Sequence, residues 1–212
     1  MIKKHWKILA GTSIATLLPA LVGLVLWHQL PAELPIHWNA QGEVDGVSSK
    51  TVAVLGMPLF LVAMQWVVTL AMLADPKRQN HSAKMLHLSL WLIPAVSIMV
   101  GAVTYATALG HEVRVGLILP LFLGLLFVII GNYLPKCKQN YTIGIKIPWT
   151  LDDEDNWNKT HRFAGFVWTV CSFVVMSGAF FKKAVVFTTF IPIAVMVFAP
   201  MIYSYIYYRK HR

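Results

Sequence analysis

The chain is 212 residues long, 57% hydrophobic and only 13% charged, with a formal net charge of +9. Soluble domains run at about 45–50% apolar and about 25% charged residues, so this composition excludes an ordinary soluble enzyme domain and points to an integral membrane protein. The cations lie between and beside apolar runs, the pattern of a membrane protein's cytoplasmic face, so nucleic acid is not an expected partner.

Ile8 to Trp27 is a run without a charged residue, long enough to cross about 30 Å of hydrocarbon. Lys3, Lys4 and Lys7 before it resemble the basic start of a signal peptide. The run is longer than a signal core, though, and no small-x-small cleavage site follows, so it reads as a retained span. Pro19 is expected to bend it. The first loop, Pro31 to Lys50, opens with two prolines that keep it extended, and carries turn signals at Gln41-Gly42 and Asp45-Gly46. It reads as a small hairpin lying on the membrane, with Trp38 as an interface anchor.

Further apolar runs follow at 51–74, 85–109, 115–134, 163–181 and 184–208, none of them holding Asp, Glu, Lys or Arg. A charge at a helix centre costs about 2.5–3.5 kcal/mol on insertion scales, so clean runs are a strong signal. The expected fold is all-α: a single polytopic membrane domain over 1–212, with six transmembrane helices and a cytoplasmic loop at 135–162. A tight connection is expected at Lys182-Lys183. Counting Lys and Arg by loop puts 14 on the side holding both termini and 4 on the other, which makes the first side cytoplasmic and turns the 31–50 loop outward. Tyr203, Tyr205, Tyr207 and Tyr208 sit where an aromatic belt belongs.

The cytoplasmic loop is the longest polar interval. Thr150 followed by Asp153 reads as a helix start, with acids from Asp152 to Asp155 facing the positive end of the helix dipole. Spacing of four stacks Asp153, Trp157 and His161 on one side, sets Glu154, Asn158 and Arg162 on another, and pairs Asp155 with Lys159. The segment reads as an interfacial helix leading into a span. Helix-start chemistry and partner docking account for the acids with His161 and Arg162 more simply than a catalytic or metal cluster does.

Cys137 and Cys171 give no disulfide framework, and no zinc-type spacing occurs, so neither metal nor cofactor is expected. Gln65, His87 and Asn132 lie within or at the edge of spans and are expected to make interhelical hydrogen bonds. No intramembrane carboxylate supports proton-coupled transport.

The residues Gly131-Asn132-Tyr133, Pro135-Lys136, Asn140-Tyr141, Gly144-Ile145-Lys146, Pro148-Trp149-Thr150-Leu151, Trp157 and Thr160-His161-Arg162 resemble the signature of the SdpI-type immunity proteins. These are small multi-span bacterial membrane proteins that protect against a secreted peptide related to sporulation delay. The first loop, LPIHWNAQGEVDG, resembles a second module of unknown function found at the start of such proteins. The family's usual Arg-Thr-Pro-Trp order reads Lys146-Ile147-Pro148-Trp149 here; lysine keeps the charge and lacks the planar fork.

The resemblance implies a multi-pass protein of the bacterial cytoplasmic membrane that confers tolerance to a membrane-active toxic peptide and is coupled to signalling through a cytoplasmic regulator. The signature residues Asn140, Tyr141, Gly144, Lys146, Pro148, Trp149, Trp157, His161 and Arg162 form its cytoplasmic motif. The outer face gathers His28, Glu33, His37, Glu43, Asp45, His111 and Glu112, where a cationic peptide is expected to meet the protein, with Glu33, His37, Trp38, Glu43 and Asp45 as the candidate contacts. The alternatives are a small transporter or exporter of a peptide or lipid, and a membrane enzyme using His37 or His161. No nucleophile–base pair supports the enzyme.

Overall fold

The computed structural model describes residues 2–39, 41–181 and 185–211. The chain divides into two compact units, one of residues 1–73 and 86–115, the other of residues 74–85 and 116–212.

The first unit begins with α1 (Ile2–Val25), followed by an antiparallel hairpin of β1 (Glu33–Trp38) and β2 (Val44–Ser49). A π-helical turn (Val52–Gly56) leads into α2 (Met57–Ala74), and α3 (Ala83–Ala108) supplies the third helix from Leu86 onward. The hairpin expected in the first loop is present. Its turn is built by Asn39, whose side-chain oxygen accepts the N–H groups of Gln41 and Glu43, while Gly42 takes φ +84°. The second turn signal behaves differently. Asp45-Gly46 lies inside β2, opposite His37, where the pairing register is irregular. Glycine fits there because a Cβ would come within 2.9 Å of the His37 Cβ. The hairpin closes on α1 through Lys50, whose ammonium donates to the Trp27 carbonyl at 3.0 Å and sits over the Trp27 ring.

A polar seam pins the helices of this unit. Gln65 is buried; its amide donates to Thr12 Oγ1 at 2.6 Å, and its Oε1 accepts from Thr16 at 2.9 Å. Ser97 donates to the Thr16 carbonyl. Polar groups in hydrocarbon must find partners inside the protein, so the seam fixes the register of α1, α2 and α3. The apolar core below the hairpin joins Leu30, Leu34, Ala53, Val54 and Tyr105. Of the other intramembrane polar residues expected to bond between helices, His87 and Asn132 have exposed side chains.

The second unit holds α4 (Val115–Tyr133, from Gly116), the short α5 (Pro148–Asp152), α6 (Glu154–Ser177) and α7 (Val185–Lys210). Glycines let helices touch here: a Cβ on Gly165 would meet Pro135 at 2.6 Å, and one on Gly131 would meet Trp168 at 3.0 Å. Asn156 binds α6 to α7, donating to the Ser204 carbonyl and accepting from the hydroxyls of Ser204 and Thr160.

The start of α6 differs from the sequence expectation. Thr150 is not the N-cap of α6; Pro148, with its φ preset, starts α5 at the second residue before it, and the Thr150 hydroxyl accepts the Ile147 N–H at 3.1 Å. Asp153 is extended, separates α5 from α6, and accepts the N–H of Asp155 as the N-cap. The expected Asp155–Lys159 pair forms at 3.0 Å.

Five helices among the described residues are long and apolar enough to cross a membrane: 6–25, 52–74, 83–108, 115–136 and 187–210. Only 22–33% of an 18-residue apolar stretch within each is buried. The large apolar residues left outside, such as Leu59, Phe60, Phe173, Phe190 and Phe198, would aggregate in water and are at home against lipid. In α6 the expected run 163–181 is helical only to Ser177, and the same helix carries the charged turns from Glu154 to Arg162. The Lys182-Lys183 connection and the start of the last run at Ala184 lie outside the described residues.

Candidate functional site

The signature residues converge on a polar junction within the second unit. Its base is α6. Trp157 and His161, one helical turn apart, are both fully buried, with rings stacked at 4.0 Å between centroids. The Trp157 indole donates to the Cys137 carbonyl at 2.7 Å, and its ring meets Met85 and Cys137. His161 Nδ1 lies 2.8 Å from the Trp157 carbonyl, while its Nε2 accepts the N–H of Ile145 at 3.0 Å. Those partners fix the neutral tautomer, with the proton on Nδ1. Burial pushes the imidazole down to about 4, and the bond to the Trp157 carbonyl offsets this only in part.

The loop above this stack is folded by Asn140, which is buried. Its Oδ1 accepts the N–H groups of Thr142 and Ile143, and its amide donates to the carbonyls of Lys138 and Ile143. Gly144 then turns at φ +111° directly over the His161–Trp157 pair. Lys146 donates to the Thr142 carbonyl at 2.7 Å, so its charge closes the loop while remaining exposed. Pro148 is exposed at the start of α5, and Trp149 lies between Tyr205 and Tyr208 of α7. Arg162 is exposed.

Sequence reasoning missed the other half of this junction, the connection between α2 and α3. Asp75 is only 3% exposed, and it gathers the N–H groups of Lys77 and Tyr141, the Thr142 hydroxyl and the His81 imidazole, all within 3.1 Å. Burial raises its carboxyl, but the hydrogen bonds from Lys77, Thr142, Tyr141 and His81 together outweigh that and hold it below the usual carboxylate range. Gln139 extends the junction: its amide donates to the carbonyls of Thr150 and Leu151, and its Oε1 accepts from Lys77. The available signal was Asp75 itself, an acid directly after an apolar run and before Pro76.

The outer-face candidates lie in the first unit, on the hairpin. Glu33, His37, Glu43 and Asp45 are exposed, and Trp38 is partly buried. His37 Nδ1 lies 2.5 Å from Asp45, and Glu43 accepts from the Asn39 amide. Among the described residues no group of three or more His, Cys, Asp or Glu side chains is arranged to hold a metal ion.

Apolar helices with a lipid-type exterior, with a densely hydrogen-bonded polar junction in the second unit, define an all-α multi-pass membrane protein. The SdpI/YfhL protein family model matches residues 136–204, which hold most of the junction loop, α5, α6 and most of α7. A domain of unknown function, DUF1648, matches residues 14–62, covering much of α1, the hairpin and the start of α2. The immunity protein SdpI of Bacillus subtilis (strain 168) is 30% identical over 198 residues, 93% of this chain and 94% of that protein. The chain therefore belongs to the SdpI/YfhL family. No solved structure matches it.

Proposed function

We propose that this protein protects its cell against a secreted, membrane-active peptide and meets that peptide at the outer hairpin. The observation that carries this reading is the 30% identity, over almost the whole of both chains, to a protein named for immunity. A toxin that attacks membranes arrives from outside, so the protective contact belongs on the outer face. The 14-to-4 division of Lys and Arg supports that orientation, with both termini in the cytoplasm. Six crossings then follow, the sixth made by the apolar part of α6. From Phe163 to Ser177 that part spans roughly 22 Å at 1.5 Å per residue, a short span that bilayer thinning or flanking residues accommodate.

In this reading Glu33, Glu43 and Asp45 attract a cationic peptide, and Trp38 and His37 offer flat surfaces to its apolar residues. Charge attraction is screened within about 8 Å at physiological salt, so apolar contact supplies most of the affinity. The polar junction is the reporting end, where a cytoplasmic regulator docks on the exposed Tyr141, Lys146 and Arg162. The test is binding against flux. Purified protein in proteoliposomes should retain the sporulation-delaying peptide without moving it across the bilayer, and sustained flux would replace immunity by binding with export.

A further inference from the structure

Asn132 and Arg162 belong to the sequence signature, yet the polar junction of the second unit is built without them. Both side chains are exposed, and neither makes a hydrogen bond or ion pair among the described residues. For Asn132 this leaves a need that the protein does not meet. It lies one turn inside the end of the apolar span 115–136, and an amide facing lipid must find a polar partner.

Helix packing sets the two residues beside one groove. Gly131 of α4 lies against Trp168 and Thr169 of α6, whereas Pro135, further along the chain, lies against Gly165. The contact order is reversed, so the two helices run antiparallel. At 3.6 residues per turn, Asn132 is rotated about 100° from Gly131, and Arg162 about 60° from Gly165 in the same sense. In an antiparallel pair, equal senses of rotation turn both side chains to the same side of the contact. Leu125, two turns before Asn132, and Phe166, one turn after Arg162, continue that side as exposed apolar surface. Lys136, directly after Pro135, is exposed at the same end. No acid balances these cations. The acids of the second unit are the buried Asp75 and the run from Asp152 to Asp155. The nearest along α6, Asp155, is about 10 Å from Arg162 at 1.5 Å per residue, and it is paired with Lys159.

We propose that this groove between α4 and α6 binds one anionic phospholipid. Arg162 and Lys136 hold its phosphate, the Asn132 amide donates to a glycerol ester carbonyl, and an acyl chain lies along Leu125 and Phe166. The guanidinium fork matches a phosphate in bidentate fashion. A zwitterionic lipid fits less well, because its ammonium meets the same uncompensated cations. A soluble phosphate would leave Asn132 without a partner and gain nothing from the apolar surface beyond it. The site does not depend on the immunity reading; at Arg162 it adjoins the surface offered to a cytoplasmic regulator.

Native mass spectrometry of the purified full-length protein, titrated with phosphatidylglycerol, tests the site. One phosphatidylglycerol should bind at concentrations where phosphatidylcholine with the same chains does not. Arg162→Gln should weaken that binding about tenfold, and Arg162→Lys should weaken it less, since lysine keeps the charge and loses the fork. Asn132→Leu should weaken it about threefold. In lipid-free detergent the melting temperature of Asn132→Leu should be unchanged or higher, because no protein partner is lost; this variant decides the matter if Arg162→Gln fails to accumulate. Lys210→Gln, which removes an exposed cation from the end of α7, should bind as the wild type does. Equal binding of the two lipids would remove headgroup recognition and overturn the proposal. An equal loss in Lys210→Gln would reduce the site to diffuse charge attraction, and displacement of the lipid by glycerol 3-phosphate would make it a soluble phosphate site; either result would overturn it as well.

Discussion

A side chain on Gly144 would set its Cβ 2.4 Å from Nε2 of His161, the atom that accepts the Ile145 N–H. The glycine is therefore required twice, by its φ of +111° and by the ring beneath it. Gly144→Ala should destabilise the protein by about 1–3 kcal/mol, through backbone strain and displacement of the stack. Thermal unfolding in detergent checks this against Gly11→Ala, where a Cβ meets nothing within 4 Å. That control should be neutral or slightly stabilising.

Asp75 should behave as a structural carboxylate. Asp75→Ala leaves the N–H groups of Lys77 and Tyr141 without their acceptor and should cost about 3 kcal/mol or more. Asp75→Asn keeps one accepting oxygen and should cost less. Protease sensitivity of the 137–151 segment is the readout: faster cleavage in the alanine variant than in the asparagine variant is expected.

The pH dependence follows from His161. Its folded-state value of about 4 lies below the ordinary 6.5, so the neutral ring contributes stability that is fully present above pH 6.5. That contribution is lost as pH falls from 6.5 through about 4, and it amounts to at most about 3 kcal/mol. Melting temperature measured between pH 7.5 and 4 should fall across this window. His161→Phe, which can stack on Trp157 but cannot titrate, should start lower and remove most of that slope.

Much of this fold was legible because hydropathy and turn chemistry are local. The apolar runs mark the helices to within a few residues at most ends, and the Asn39 side chain accepts the N–H groups of Gln41 and Glu43 that close the hairpin turn. Two local signals misled for a physical reason. Thr150 has the chemistry of a cap, but Pro148 two residues earlier starts the helix first, and the capping passes to Asp153. Asp45-Gly46 has the chemistry of a turn, but the close approach of His37 uses the glycine inside a strand. The junction was half hidden. Asn140, Gly144, Trp157 and His161 lie in one interval and carry a resemblance, whereas Asp75 meets Tyr141 across 66 positions of sequence. No periodicity encodes a contact of that range.

The orientation has its own test. Single cysteines at positions 45 and 146, in a background lacking Cys137 and Cys171, should react with an impermeant maleimide on opposite sides of the membrane. Position 45 should be labelled in intact cells and position 146 only after lysis. The reverse pattern would invert the topology.

The central claim is protection through the outer hairpin, and survival measures it most directly. A sensitive host expressing the protein should grow at concentrations of the sporulation-delaying peptide that kill the empty host. The triple variant Glu33→Gln, Glu43→Gln, Asp45→Asn should lose about tenfold of that tolerance, since exposed charges contribute about 0.2–1 kcal/mol each, at an unchanged amount of protein in the membrane. Undiminished tolerance in the triple variant would contradict the hairpin contact, and no tolerance in the wild type would contradict immunity to this peptide.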